Sequence, residues 1–149
     1  MFICFPFSPG QVVEAAYECE WFYFRGDRCD TCCTTSLASP IHSHPPLSLP
    51  CFSLEPVDRT DYCSTAGFNA LSHVLSEIVE AAECCGIEVE QIHCEDGQGQ
   101  FEVSYRHGPA LRAADHMFLL REIIVGVGQK HGVRATFIGR WVAPSHTAD

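Results

Sequence analysis

The chain has 149 residues, 46% of them hydrophobic, and a formal net charge of −10. This length is sufficient for one domain with a buried core. The nine Lys and Arg residues are scattered singly, which argues against nucleic acid or a membrane surface as partner, because phosphate backbones and anionic lipids attract basic patches. The sequence also has no run of about 20 apolar residues, the length that a membrane span requires.

The chain has ten cysteines, a number typical of small secreted proteins with disulfides. The N-terminus does not predict secretion, because residues 1–7 lack a basic segment and Pro6, Pro9 and Gly10 interrupt the apolar stretch. We therefore expect reduced thiols and a cytoplasmic location, in the cytosol or a plastid-like compartment.

The first half of the chain predicts a strand region, a loop and a helix. Residues 11–24 mix β-branched and aromatic residues with period-two polarity, which indicates one strand or a pair of strands. Residues 25–56 are rich in Pro, Ser and Thr, which predicts a disordered or variable loop insert. Apolar residues recur at helical spacing over 66–85, and Gly86 follows as a left-handed cap, so we predict an amphipathic helix.

The second half predicts a hairpin, a helix and a strand. Residues 87–94 alternate as a strand, 96–99 form a glycine-rich turn, and 100–105 return as the antiparallel partner. Residues 112–131 predict a second amphipathic helix, which Gly132 ends before a strand at 133–138. The order of elements predicts an α+β fold, a mostly antiparallel sheet with two amphipathic helices packed on one face.

Four glutamates occupy strand positions from which we expect them to converge. Glu18 and Glu20 alternate with apolar residues in YECEWFYF, so they share one strand face about 7 Å apart. Glu95 and Glu102 flank the turn of GIEVEQIHCEDGQGQFE and face one point. The carboxylates of such a group repel one another unless a cation lies among them. Hard divalent ions prefer oxygen ligands and bridge to phosphates. The pattern therefore predicts a metal-dependent phosphoryl-transfer site using Mg²⁺ or Mn²⁺.

The residues also permit less specific interpretations. Glu18 and Glu20 fit the solvent face of an edge strand, and Glu95 and Glu102 fit the polar end of a hairpin.

Four runs are informative together, in this order along the chain: YECEWFYF, PVDRTDYC, GIEVEQIHCEDGQGQFEV and AADHMFLLREIIVGVGQKHGVRATF. They resemble the catalytic domain of glutamine synthetase, and especially the glutamine-synthetase-like branch that includes nodulin-type proteins and lengsin. The resemblance covers residues 12–140 apart from 25–56. It implies that residues 1–149 form part of that catalytic domain, with the variable insert at 25–56.

The resemblance implies an ATP-dependent ligase of glutamine biosynthesis. Such an enzyme joins glutamate to ammonia through γ-glutamyl phosphate at a two-metal site, where positioning and electrostatics dominate the rate. Members of the family form homo-oligomers. The resemblance therefore implies glutamate, ATP and ammonia or an amine as the partners of this chain.

The resemblance also assigns roles to individual residues. Glu20, Glu95 and Glu102 correspond to ligands of the metal that orients glutamate, and Glu18 to a ligand of the second metal. Glu90 takes a position that touches the nucleotide in the family, although it also fits a plain surface residue. His93 shares a strand face with Glu95 and is a candidate for a phosphate contact, or else a structural histidine.

The chain departs from the family in several places. Gly139 and Arg140 stand where the family usually has Pro and Lys, and His146 in PSHTAD does not match the glycine-rich histidine motif. The phosphate-clamping arginines, the glutamate flap and the small N-terminal domain have no counterpart in these residues. We therefore expect a truncated chain that is inactive alone. Two alternatives stay open, a non-catalytic structural protein like lengsin and a γ-glutamyl-polyamine ligase.

The cysteines suggest only one further site. Cys29, Cys32 and Cys33 form a CxxCC cluster, but a zinc site needs four ligands. His42, His44 and Cys51 would have to complete it, so an inert variable loop is the favoured interpretation. Cys84, Cys85 and Cys94 are predicted to be small buried hydrophobic residues.

Overall fold

The computed structural model describes residues 12–26 and 55–139. Within these residues the strands are β1 (Glu14–Ala15), β2 (Glu18–Arg25), β3 (Glu55–Pro56), β4 (Val89–Cys94), β5 (Gln100–Tyr105), β6 (Gly108–Pro109) and β7 (Arg134–Thr136). The helices are α1 (Thr65–Ala70), α2 (Ser72–Cys84) and α3 (Ala110–Lys130). None of these helices is both long and apolar enough to cross a membrane. The predicted order of elements is confirmed, with β3 and β6 as short additions.

The main sheet is antiparallel and centred on β2 and β5. Strands β3, β2, β5 and β4 are joined in that order, and β7 also pairs with β2. Strands β1 and β6 form a separate two-residue ladder. Burial alternates along β2 from Glu18 to Trp21, so Cys19 and Trp21 are buried while Glu18 and Glu20 are exposed, and the following residues Phe22 to Phe24 are all buried. The face with Glu18 and Glu20 carries the candidate site.

The helices cover the apolar face of the sheet, as the α+β prediction requires. The core contains side chains from both layers, among them Trp21, Tyr23, Phe101, Val103, Leu75, Ile78, Leu120 and Ile124. The hydroxyl of Tyr23 donates a 2.7 Å hydrogen bond to the carbonyl of Ile124, which joins β2 to α3. The glycine caps are also confirmed, since Gly86 (φ +78°) and Gly132 (φ +71°) follow the ends of α2 and α3 in the left-handed region.

The predicted helix over 66–85 is in fact two helices. Helix α1 ends at Ala70 and α2 begins at Ser72, with Leu71 between them at φ −121° and ψ 15°. Leu71 is only 1% exposed, so the junction between the two helices is packed into the core. The loop before α1 is fixed by Asp58, whose carboxylate accepts hydrogen bonds from the backbone N–H and the hydroxyl of Thr60.

The prediction for the three later cysteines was partly wrong. Cys94 is buried in the core as predicted, but Cys84 and Cys85 are exposed. The core-facing stripe of α2 passes through Ile78 and Ala82, so Cys84 points to another side of the helix and Cys85 lies beyond its last turn.

Parts of the sequence analysis concern residues outside the described ranges. These are residues 1–11, most of the predicted insert (27–54, with the CxxCC cluster, His42, His44 and Cys51), and residues 140–149 with Arg140 and His146. At the two ends of the insert, Arg25 and Glu55–Pro56 are strand residues, because β3 pairs with Phe24 and Arg25 of β2.

Candidate functional site

The polar face of the sheet brings glutamates from two strands together. Glu20 on β2 lies directly opposite Glu102 on β5, and Glu18 lies opposite Ser104. This register follows from the apolar residues between them, because Cys19 and Trp21 must point into the core with their partners Val103 and Phe101. The burial of one face therefore determines which acidic residues meet on the other.

Strand β4 adds a histidine to the same row. His93 is the cross-strand partner of Glu102, and its Nε2 lies 3.7 Å from Glu102 Oε1. Its Nδ1 lies 3.6 Å from Oε1 of Glu95, which follows the end of β4. One donor atom from each of the three residues lies within 4.8 Å of the others. We call His93, Glu95 and Glu102 the histidine–carboxylate cluster.

Glu102 is the electrostatic centre of this face. Burial raises the pKa of its carboxyl above the usual value, and the neighbouring charges of Glu18, Glu95 and Glu20 raise it further, while His93 opposes them. The side chain is only 14% exposed. A cation placed among these groups would relieve the repulsion that now favours the protonated form.

The remaining predicted site residues line an open cleft beside the cluster. The cleft has a volume of about 500 Å³ and is lined by Ala16, Tyr17, Glu18, Glu20, Glu90, Ser104 and Tyr105. We call it the acidic cleft, after its three glutamates. The structure therefore separates the predicted residues into two neighbouring groups, with Glu95, Glu102 and His93 in one and Glu18, Glu20 and Glu90 in the other.

Glu90 reaches the acidic cleft because of a β-bulge. The register of β4 and β5 shifts between Val89, which pairs with Tyr105, and Gln91, which pairs with Ser104. Plain alternation would have placed Glu90 on the core face with Ile92 and Cys94. The sequence indicates this bulge, because the apolar residues shift from odd positions (Ile87 and Val89) to even positions (Ile92 and Cys94).

Two further residues beside the site were not singled out from the sequence. The Gln100 side chain donates a 2.6 Å hydrogen bond from Nε2 to Oε2 of Glu20. The ring of Tyr62 contacts that of His93 edge to face, with 5.6 Å between the ring centroids. Tyr62 precedes α1, so only the folded chain brings it beside β4.

The cluster fits a divalent cation in both donor chemistry and size. Carboxylate oxygens suit Mg²⁺ and Mn²⁺, whereas imidazole is more typical of Zn, Cu, Fe and Ni, so Glu95 and Glu102 are the members of the cluster that favour Mg²⁺ or Mn²⁺. In an octahedral Mg²⁺ site, adjacent ligands are about 3 Å apart and opposite ligands about 4.2 Å apart, so the three donor atoms, which lie within 4.8 Å of one another, have to move closer by side-chain rotation to share one ion. Glu20, directly across from Glu102, is the nearest additional carboxylate in the strand register.

A family model for the catalytic domain of glutamine synthetase matches residues 8–147 of the chain. The chain belongs to the glutamine synthetase family. This confirms the resemblance recognised in the ordered sequence motifs, and the α+β architecture agrees with that of the family's solved structures.

The curated relatives of this glutamine synthetase family chain act on different acceptors. The γ-glutamylpolyamine synthetase GlnA3 of Streptomyces coelicolor is 30% identical over 128 residues, which are 86% of this chain and 23% of the relative. A glutamate–isopropylamine ligase of a Pseudomonas species is 30% identical over 89 residues, or 59% of this chain and 19% of the relative. A glutamine synthetase of Halobacterium salinarum is 32% identical over 81 residues, or 54% and 18%.

Solved structures of the family share the fold. GmaS without ligand has a TM-score of 0.62 and 25% sequence identity, covering 88% of this chain and 26% of that of GmaS. Glutamine synthetase of Plasmodium falciparum has a TM-score of 0.64 and 16% identity, covering 87% and 27%. The chain spans about a fifth to a quarter of the length of these relatives.

Proposed function

We propose that this chain carries the divalent-metal site of an ATP-dependent ligase that joins the γ-carboxyl group of glutamate to ammonia or an amine. The supporting observation is the cross-strand row of Glu20, Glu102 and His93, with Glu95 beside it. A polar hairpin end needs no such concentration of acidic groups. Membership of the family indicates the class of reaction, and the register of the sheet indicates which residues would bind the metal.

The proposed roles follow the two groups of side chains. Glu95 and Glu102 bind one metal ion together with Glu20, and His93 lies between the first two as a ligand or phosphate contact. Glu18 binds the second metal, and Glu90 contacts the nucleotide across the acidic cleft. When bound, the metals neutralise phosphate charge and orient the phosphoryl group. The carboxylates contribute by holding this positive charge at a fixed place on a rigid sheet.

The acceptor is ammonia or a primary amine. Two of the relatives named above are ligases for isopropylamine and for polyamines. The glutamates of the acidic cleft are also the proposed metal ligands and nucleotide contact, so binding of a cationic amine has to be tested with Mg²⁺ in place. Titration of the Mg²⁺-loaded chain with spermidine, followed by NMR, provides this test. Saturable shifts at the acidic cleft support an amine acceptor, whereas shifts that occur only in the metal-free chain do not.

Metal binding separates the ligase from a structural, lengsin-like role, which needs no metal ligands. The test is titration of the 149-residue chain with Mn²⁺, followed by electron paramagnetic resonance and isothermal titration calorimetry. We expect saturable binding that Glu102→Gln abolishes and that Glu122→Gln, on the exposed side of α3, leaves unchanged. Absence of Mn²⁺ binding by the unaltered chain would contradict the proposed function.

Turnover is a separate question from metal binding. The chain corresponds to a fifth to a quarter of its relatives, so we expect it to bind metal without forming product by itself. A phosphate-release assay with ATP, glutamate and ammonia tests this expectation. Glutamate-dependent release that Glu102→Gln abolishes would show that these residues suffice for catalysis.

A further inference from the structure

One side chain, Gln100, connects the acidic cleft to the turn that follows Glu95. Its amide nitrogen donates a 2.6 Å hydrogen bond to Glu20 Oε2. Its amide oxygen accepts a 2.9 Å hydrogen bond from the backbone N–H of Gly97. Both ends of the amide therefore have partners, one on β2 and one in the β4–β5 turn.

The β4–β5 turn and Phe22 lie close to the Gln100 amide. Gln100 is the cross-strand partner of Phe22, and a Cβ atom at position 97 would lie 2.5 Å from Gln100 Oε1 and 2.7 Å from Phe22 Cε1. A larger residue at position 97 would therefore displace the Gln100 amide or the Phe22 ring. The role of Gly97 is close contact with Gln100, since the left-handed backbone of the turn is at Gly99 (φ +73°).

An amide is the group that this position requires. Glu20 is a carboxylate that only accepts hydrogen bonds, and the Gly97 N–H only donates, so the connecting group must donate at one end and accept at the other. Glutamine meets both needs without adding charge beside Glu20 and Glu102. A hydrogen bond to a charged carboxylate is also stronger than one between neutral groups.

We infer that Gln100 is a positioning residue that fixes the orientation of the Glu20 carboxylate beside the histidine–carboxylate cluster. Oε2 of Glu20 is held by the amide, which leaves Oε1 to act as a metal ligand together with Glu95 and Glu102. Hydrogen-bond partners of metal-ligating carboxylates affect metal affinity although they do not touch the ion. The link to metal affinity rests on the proposed function, whereas the orientation of Glu20 does not.

The first test compares two substitutions of the same kind by their Mn²⁺ dissociation constants. Gln100→Met keeps the length of the side chain but removes both hydrogen bonds, and we expect it to weaken Mn²⁺ binding about 10-fold. Gln129→Met is the matched control on the exposed surface of α3, and its affinity should equal that of the unaltered chain. Lower stability of Gln100→Met with an unchanged dissociation constant would show that Gln100 is only a structural hairpin residue, and would overturn the inference.

The second test needs no metal and keeps Gln100 intact. In the metal-free, ¹⁵N-labelled chain, the side-chain amide signals of Gln100 should move in Glu20→Ala and stay in place in Glu122→Ala. Unchanged positions of the Gln100 amide signals in Glu20→Ala would overturn the inference. If the unaltered chain binds no Mn²⁺ but these signals respond to Glu20, the proposed function fails while the orienting role of Gln100 is supported.

Discussion

Glu20 and Glu102 lie directly opposite each other on β2 and β5, on the face of the sheet that carries the candidate site. Like charges at opposed positions of an antiparallel pair destabilise the sheet, and burial, followed by the charges of Glu18, Glu95 and Glu20, raises the pKa of Glu102. The metal-free fold therefore tolerates a repulsion that a bound cation, or protonation of Glu102, would relieve. Sites that trade stability for function commonly carry such a cost.

This relationship predicts opposite effects of one substitution on stability and on binding. Glu102→Gln should raise the free energy of unfolding of the metal-free chain by about 0.5 kcal/mol, while it removes Mn²⁺ binding. Urea denaturation with and without EDTA measures the first effect. Glu122→Gln should change neither quantity. A less stable Glu102→Gln chain would mean that the carboxylate has a structural partner that outweighs the repulsion.

The sequence was sufficient to predict the elements that have strong local signals. Alternation over YECEWFYF placed Glu18 and Glu20 on one face, and Gly86 and Gly132 marked the ends of two helices. The interruption at Leu71 was not predicted, because the apolar residues keep helical spacing through the junction. The β1–β6 ladder was also missed, since two-residue strands have no pattern of their own and depend on contacts distant in sequence.

The site was predictable as a set of residues but not as an arrangement. Local spacing indicates which glutamates share a strand face, whereas the pairing of His93 with Glu102 depends on the register of two strands. In the sequence, the bulge that turns Glu90 toward the acidic cleft is indicated only by a shift of the apolar residues from odd to even positions. The bond from Gln100 to Glu20 joins residues 80 positions apart, and no local pattern predicts it.

Two glycines in α3 provide a matched pair for testing how closely the helix packs on the sheet. A Cβ atom at Gly128 would lie 2.6 Å from Cε1 of the buried Tyr23 ring, whereas one at Gly126 would have no neighbour within 4 Å. Gly128→Ala should therefore destabilise the protein by about 1–3 kcal/mol through overpacking. Gly126→Ala should stabilise it by up to about 1 kcal/mol, because alanine favours the helix.

Thermal or urea denaturation of both variants measures this difference, and each is the control of the other. The hydrogen bond from Tyr23 to Ile124 allows a third comparison, since Tyr23→Phe should lower the free energy of unfolding by about 1 kcal/mol. Equal effects of alanine at positions 126 and 128 would contradict the close approach of Gly128 to the Tyr23 ring.

The cysteines of the described residues divide into reactive and protected groups. Burial raises the pKa of the Cys19 thiol to about 12 and that of Cys94 to about 11, so both lack thiolate at neutral pH as well as access to reagent. Cys63, Cys84 and Cys85 are exposed. Brief alkylation with iodoacetamide followed by peptide mass spectrometry should label the second group, and should label Cys19 and Cys94 only after unfolding. Native labelling of Cys19 would show that the core opens readily around β2.

A cluster that joins α2 to α3 predicts how stability depends on pH. Glu77 Oε1 accepts a 2.6 Å hydrogen bond from Lys130 Nζ, and its Oε2 lies 2.8 Å from His131 Nε2. The ring of His131 in turn contacts that of His73. The bond from Lys130, followed by that from His131, lowers the pKa of Glu77 below its usual 4.5.

A carboxyl group with a lowered pKa in the folded state stabilises the protein above the pKa of the unfolded chain. That contribution is lost as the pH falls through the lower, folded-state value. Glu77→Gln should therefore reduce the free energy of unfolding at neutral pH, and the difference from the unaltered chain should shrink as the pH falls below 4.5. Glu83→Gln, on the same helix, is the matched control and should show no such trend. Urea denaturation across this pH range provides the measurement, and a difference that grows in acid would mean that the bonds from Lys130 and His131 do not stabilise the fold through the charge of Glu77.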